Sequence, residues 1–173
     1  MVRRGNEIEN DTVPRHSHSL LSHFALSFNT PTCTCVSLYV AITASPVNDK
    51  FATRSLLAGT SGSVTGSTLR ATVEAGEPEV TSEHTVWYKI SFTTTGTLSL
   101  TVTPTLSTYR PFVSLLNDLD GTIGHLEPVG VSANCPTSCV TFPRIVAGKS
   151  YVIAIGGQVA TDRGAFTLRW RLQ

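Results

Sequence analysis

Apolar and polar residues alternate with a period of two in several short stretches of the chain. In residues 84–92 every second position is apolar and falls on one face of an extended strand, namely Val86, Tyr88, Ile90 and Phe92. The same alternation recurs in three further stretches bounded by Gly, Pro or Asn, residues 97–103, 151–155 and 165–172. No stretch shows the 3.6-residue apolar stripe of a helix. The pattern therefore predicts an all-β protein.

The apolar positions of these strands define a predicted core. Besides the four just named, they are Leu98, Leu100, Val102, Tyr151, Ile153, Ile155, Phe166, Leu168, Trp170 and Leu172. Trp87 lies on the face opposite Tyr88 and Phe92, so one of these two sets is expected to face outward. An outward Trp87 beside Tyr109 would offer an aromatic platform for a sugar ring, whereas burial is the commoner fate of a strand tryptophan. Trp87 and Tyr109 are thus candidate ligand-binding residues.

Composition narrows the class of protein. The chain has 173 residues, the size of one domain with a real core. Only 14% of the residues are charged, while Thr, Ser and Val are the most frequent residues, as in extracellular β-proteins with hydroxyl-rich surfaces. The net charge of +1 gives no electrostatic footprint for a nucleic acid, and Arg169 and Arg171 are interpreted as part of a solvated strand face. We expect an extracellular or cell-surface protein with no nucleic-acid partner and no membrane span.

The first 45 residues divide into two parts. Residues 1–19 carry many charges and few apolar side chains, which predicts a flexible arm. Residues 20–45 form an apolar leader without Asp, Glu, Lys or Arg, and alternation within it predicts one more strand with an apolar face made of Val36, Leu38, Val40 and Ile42. We call residues 36–42 the leader strand.

Three interpretations of the leader remain open at this point. It resembles a signal peptide with basic residues near the start and Ala44 near a plausible cleavage point, but residues 29–31 interrupt the apolar run. Alternatively, the leader strand pairs at an edge of its own domain. In the third interpretation it adds to the sheet of a neighbouring copy, where backbone hydrogen bonds supply affinity and alternate side chains fill pockets. Such a head-to-tail contact need not close, so it can build a filament.

Several sequence blocks occur in the same order as in a known family. They are NDKFA, GTSGSVTGST, VWYKISF, GTLSLTV, AGKSYVIAIGG and GAFTLRW. From about Pro46 to its end the chain resembles the bacterial pre-peptidase C-terminal (PPC) domain. The resemblance implies an antiparallel, jelly-roll-like β-sandwich of about eight strands over residues 46–173. It further implies a role in binding matrix polymers or in secretion and assembly, without catalysis.

Four cysteines fit an oxidising compartment. They are Cys33, Cys35, Cys135 and Cys139. A bridge between Cys135 and Cys139 would close a loop between two strands. A bridge between Cys33 and Cys35 would close a small, strained ring. Pairing between the leader and the distant loop is the further alternative, and a zinc site is disfavoured because the spacing is poor. Many PPC relatives carry a Cys before the strand that corresponds to residues 109–116, and this chain has none there.

Acidic and amide side chains near residue 50 supply hard oxygen donors of the kind that calcium prefers. The candidate ligands are Asn48, Asp49, Glu74 and Glu77. Some PPC relatives bind calcium where the segment before the first strand meets the sheet. The same residues are explained without an ion by an Asx turn at Asn48 and Asp49 and a solvated turn at Glu77. The loop at residues 117–121 lacks the distal Glu of a calcium loop, which predicts a hairpin turn. No other cofactor is expected.

Motifs for catalysis are missing from the sequence. Nothing matches G-x-S-x-G, H-E-x-x-H or a phosphate-binding loop, and His84 and His125 stand in stretches with no recognisable catalytic spacing. We therefore expect no enzyme.

The sequence predicts a non-catalytic structural or adhesive subunit that assembles with copies of itself into an oligomer or polymer through the leader strand. The alternative is a calcium-assisted accessory domain that binds a collagen-like protein or a polysaccharide for a secreted hydrolase system. A processed fragment of a larger secreted hydrolase is the third hypothesis.

Overall fold

A computed structural model describes residues 44–79, 84–131 and 138–173 of the chain. Within these ranges the regular elements are β-strands and two single 3-10 turns, Phe51–Thr53 and Ile123–His125. The strands are β1 Ser55–Leu56, β2 Ser61–Ser67, β3 Val86–Ser91, β4 Gly96–Pro104, β5 Pro111–Asn117, β6 Glu127–Val131, β7 Ser138–Ile145, β8 Ser150–Gly157 and β9 Ala165–Leu172. The all-β prediction is confirmed.

The strands form two sheets with the orders β1-β3-β8-β5-β6 and β2-β9-β4-β7. All neighbours are antiparallel except β1, which pairs with β3 in parallel over Ser55 and Leu56. Without β1, the eight remaining strands have the alternating two-sheet order of a jelly roll. The predicted sandwich of about eight strands is confirmed, with β1 as one short addition.

The layer between the sheets contains the side chains that the alternation placed inward. Leu98, Leu100 and Val102 of β4 are at most 1% exposed, and they face apolar residues of β3, β5 and β8. Of the predicted core residues only Leu172, near the end of β9, is half-buried. Burying this alternating face is what fixes the register of each strand, because a shift by one residue would turn its apolar set outward.

A second apolar cluster covers the other face of the five-stranded sheet. It contains Phe51, Trp87, Leu116, Leu126, Val152 and Ala154. The ring of Phe51 meets the indole of Trp87 edge to face, with centroids 5.5 Å apart and planes at 89°. The expectation that either Trp87 or the Tyr88 and Phe92 set faces outward is therefore wrong. Both sets are buried, because the 3-10 turn before β1 and the loop before β6 cover the outer face.

Candidate functional site

Each sheet of the sandwich has two edge strands. On one side the sheets end at β1 and β2, and on the other side they end at β6 and β7. An edge strand presents backbone N–H and C=O groups that another strand can pair with. Each edge is therefore a potential contact site.

Strand β2 directs every second backbone amide away from its partner β9. The N–H of Leu172 donates to the carbonyl of Thr60 at 2.7 Å, and the N–H of Thr68 donates to the carbonyl of Gly164 at 3.0 Å. Hydrogen-bonded positions alternate in an antiparallel pair, so the even-numbered residues of β2 bond to β9. The backbone groups of residues 61, 63, 65 and 67 point to the open side, where the described part of the chain places no further strand.

The features that usually protect an edge strand are missing from β2. Its sequence SGSVTGS contains no proline and no charge, and its pairing with β9 has no register shift. On the opposite side β6 contains Glu127 and Pro128, and β7 contains Pro143 and Arg144. Both of those strands also pair with a register shift. Proline, charge and bulges all disfavour edge pairing, so β2 is the more receptive edge.

Glycine on the inner face of β2 allows the two sheets to approach. A Cβ atom at Gly62 would overlap the indole of Trp170, and one at Gly66 would overlap the Tyr88 hydroxyl and lie 2.7 Å from the Phe166 ring. Because no side chain fits there, aromatic rings of β9 and β3 fill the layer behind β2. The edge strand therefore packs closely despite its small side chains.

An open groove of about 620 Å³ lies between β2 and the segment that precedes β1, residues 44–50. We call this segment the lead-in segment. The groove is mostly apolar and is lined by Ala44, Pro46, Val47, Asn48, Ser55, Val64, Thr65, Gly66, Ser67, Leu69, Tyr88 and Ala165. Val47 is 86% exposed and Leu69 is 53% exposed, so its rim offers apolar surface to a partner.

Asn48 holds the lead-in segment against β3. Its carbonyl accepts from the N–H of Trp87 at 2.9 Å, and its Nδ2 donates to the carbonyl of Trp87 at 3.0 Å. Burial raises the pKa of the neighbouring Tyr88 hydroxyl, and a hydrogen bond with the Asn48 side chain partly offsets that rise. The wall of the groove is thus fixed by a buried polar contact.

The four candidate calcium ligands engage other protein groups. The Asp49 carboxylate accepts from the N–H and the hydroxyl of Thr72, at 2.6 and 2.9 Å. Glu74 accepts from the N–H of Phe51 at 2.7 Å, and Glu77 accepts from the N–H of Glu74 at 2.8 Å. Asn48 bonds to Trp87 as described. Within the described ranges no group of three or more His, Cys, Asp or Glu residues is placed to hold a metal ion. Calcium stays a prediction.

The acidic loop after β5 forms an ion-pair cluster. The Asp118 side chain in this loop is 2% exposed. Its carboxylate lies 3.0 Å from Lys89 Nζ and 3.5 Å from Arg54 Nη2. Burial opposes ionisation of Asp118, but hydrogen bonds from Lys89 and Gly121 and the charges of Lys89 and Arg54 outweigh it and hold its pKa below the ordinary value. The predicted hairpin is confirmed, because β5 and β6 on either side of the loop are antiparallel neighbours.

The predicted aromatic platform is corrected by the structure. Trp87 is completely buried, and Tyr109 is 2% exposed and donates its hydroxyl to the carbonyl of Gly156 at 2.8 Å. Burial is also the main reason that the pKa of Tyr109 is raised. Neither ring offers a face to a sugar, because the 3-10 turn with Phe51 covers Trp87 and the core between the sheets encloses Tyr109.

The two described histidines have distinct surroundings. His84 is half-buried and its ring nitrogens lie against the carbonyl of Ala71 and the guanidinium of Arg163. His125 is exposed and pairs with Asp120 at 2.6 Å. Neither of these hydrogen-bonded pairs includes a serine hydroxyl or a thiol that would serve as a nucleophile.

Other predicted site residues lie outside the described residues. These are the leader-strand positions Val36, Leu38, Val40 and Ile42, together with Cys33, Cys35 and Cys135. Cys139 belongs to β7, where its backbone is opposite Thr101 of β4. The assembly strand and the disulfide pairings accordingly stay predictions.

Comparisons with known proteins add structural similarity at low identity. No protein-family model and no curated protein matches the chain. A similar structure is the PPC domain of a collagenase from Bacillus anthracis, with 13% identity, 68% of this chain and 94% of that chain covered, and a TM-score of 0.46. Another is the Yersinia pseudotuberculosis-derived mitogen, with 12% identity, coverage of 65% and 86%, and a TM-score of 0.45.

A third is PliG of Aeromonas hydrophila, a periplasmic inhibitor of g-type lysozyme, with 15% identity, coverage of 69% and 96%, and a TM-score of 0.44. At these scores the similarities assign neither a family nor a function to the chain, and the PPC resemblance stays a prediction. None of the helical segments in the described ranges is long and apolar enough to cross a membrane.

Sequence reasoning missed the open edge of β2 and the groove beside it. Alternation shows which face of a strand is buried, but it does not show which strand ends a sheet. The available signal was the absence of charge and proline from the block SGSVTGS.

Proposed function

We propose that this protein is a non-catalytic, extracellular structural subunit that assembles with copies of itself by strand addition. The leader strand of one copy pairs with the open edge of β2 in the next copy. The observation that carries the proposal is the unprotected β2 edge, whose outward backbone groups lie beside an apolar groove.

Length and position support the leader strand as the occupant. Residues 36–42 and β2 are both seven residues long, so every outward backbone group of β2 gains a partner. The apolar face of the leader strand, with Leu38 and Val40 at its centre, suits a groove lined by Val64, Val47 and Leu69. Ala44, two residues after the leader strand in the sequence, is one of the residues that line this groove.

Strand exchange of this kind joins two different surfaces of the subunit. The donor is the leader strand and the acceptor is β2, so each subunit keeps one of each after it has bound a neighbour. A contact of this type propagates unless the rotation between subunits closes a ring. The proposed product is therefore a filament or another surface polymer.

Paired variants of donor and acceptor test the proposal in the full-length chain. Leu38→Asp places a charge on the apolar face of the donor, and Thr65→Lys places one on the acceptor edge. Light scattering and gel filtration should find that the unaltered protein assembles and that each variant is a monomer. Mixing the two monomers should yield a 1:1 dimer, because one retains its acceptor and the other retains its donor.

Matched controls distinguish a specific effect at the β2 edge from a general effect of added charge on assembly. Ser37→Asp alters the opposite face of the leader strand, and Thr103→Lys alters the other neighbour of Thr167 in the interior of the same sheet. Both controls should still assemble. A monomeric unaltered protein, or variants that stay apart when mixed, would contradict strand exchange, and the proposal would then fail.

A further inference from the structure

The outer face of the four-stranded sheet carries cations but no anions. None of the residues of β2, β4, β7 and β9 is Asp or Glu, whereas β9 contributes Arg169 and Arg171, both exposed. Among the described residues neither arginine forms an ion pair with a carboxylate. Two unneutralised guanidinium groups thus stand on one face of the sheet.

Hydroxyl groups flank both arginines in the sheet register. Arg169 lies between Ser63 of β2 and Thr101 of β4, and Arg171 lies between Ser61 and Ser99 of the same strands. Residues two apart on a strand are separated by roughly 7 Å and point the same way. The aromatic side chain between them, Trp170, points into the core and is 7% exposed.

We infer that this face binds an acidic linear polysaccharide. A guanidinium group binds a carboxylate or sulfate through two parallel hydrogen bonds, and serine and threonine hydroxyls both donate to and accept from sugar hydroxyls. Apart from Ala165 at the start of β9, the outward positions of β2, β4 and β9 are serine, threonine and arginine. A hydroxyl-rich partner with spaced negative charges matches that surface.

Other polymers match the surface less well. A protein partner usually buries an apolar or aromatic centre, and the outward positions around the arginine pair supply none. Single-stranded nucleic acid binds through exposed aromatic rings and a dense array of cations, but Trp170 and Phe166 face inward and the chain has a net charge of only +1. The site shares Ser61 and Ser63 with β2, but it uses their side chains on the outer face and not the backbone groups of the edge, so it does not require assembly.

The experiment measures binding of the full-length protein to polygalacturonate by calorimetry at low salt, with dextran as the neutral polymer. Binding to polygalacturonate alone is expected, and it should weaken as salt is added. R169Q together with R171Q should weaken binding by about ten-fold, since exposed charge pairs are individually modest. K50Q together with K149Q removes the same charge away from this sheet, and that control should bind within about two-fold of the unaltered protein.

Several results would overturn the inference. These are absence of binding, equal binding to dextran, or equal losses in the arginine pair and the lysine pair. Polyglutamate or a single-stranded oligonucleotide that bound as tightly, with the same dependence on Arg169 and Arg171, would replace the polysaccharide as the partner. All four substituted positions are exposed, so unchanged thermal unfolding should accompany each variant.

Discussion

On one side of the sandwich, β6 and β7 carry prolines, charges and shifted registers at the sheet edges, whereas β2 on the other side carries none of them. On both sides an inward glycine lies against an aromatic ring, Gly130 against Phe142 and Gly66 against Phe166. The packing behind the edges is therefore similar and their exposed backbones differ. This difference predicts that receptivity to another strand is set at the edge itself and not by the core behind it.

The largest effect is expected from adding a methyl group behind β2. Gly66→Ala should destabilise the fold by about 2 kcal/mol, because its Cβ overlaps the Tyr88 hydroxyl and the buried Phe166 ring. Gly130→Ala behind β6 should cost about 1 kcal/mol, since its Cβ lies 2.9 Å from the Phe142 ring. Urea unfolding monitored by circular dichroism measures both.

Gly124 is the control for these two substitutions. No atom lies within 4 Å of its Cβ position, so Gly124→Ala should change the free energy of unfolding by less than about 0.5 kcal/mol. An equal loss of stability at all three glycines would show that backbone freedom and not packing decides the effect.

The next effect concerns the ion pairs that fasten the β1 end of the five-stranded sheet. Asp118→Asn leaves Lys89 and Arg54 without their shared carboxylate and should cost about 1.5 kcal/mol at neutral pH, reduced from the fully buried case because Lys89 is 36% exposed. The folded pKa of Asp118 lies below its unfolded value of 3.8. Its contribution is therefore present above about pH 4 and is lost as the pH falls further.

Thermal unfolding between pH 2 and pH 7 checks this prediction. The difference between the unaltered protein and Asp118→Asn should shrink as the pH falls below 4. Asp120→Asn is the control, because Asp120 is exposed and pairs only locally with His125 and Thr122. A difference that stays constant over the whole range would contradict the ion-pair explanation.

The smallest effect on stability is expected from removing the protection of β6. Pro128→Thr restores a backbone donor at an exposed edge position and should change the free energy of unfolding by less than about 0.5 kcal/mol. In the Thr65→Lys background, where the β2 edge is blocked, this substitution should create weak new association detectable by light scattering. A protein that remains monomeric would show that the register shift in β6 is sufficient protection.

Much of the fold could be predicted from the alternation of residues along the chain. The strands containing Tyr88, Leu100, Ile153 and Leu168 were predicted with the correct inward faces, because burial of one face of a strand leaves a local pattern. Burial of Trp87 could not be predicted in this way. It depends on Phe51, which lies 36 positions earlier and is held beside the indole where β1 pairs with β3.

The sequence by itself determined where the strands lie and which faces they bury, and it made the β2 block free of charge and proline. Only the tertiary structure decided that β2 ends a sheet, that the lead-in segment borders a groove beside it, and that the strands on either side of Arg169 and Arg171 supply no carboxylate. The physical reason is the sequence distance over which each feature arises. Side-chain alternation depends on residues a few positions apart, whereas edges, grooves and charged faces arise from hydrogen bonds between strands far apart in the chain.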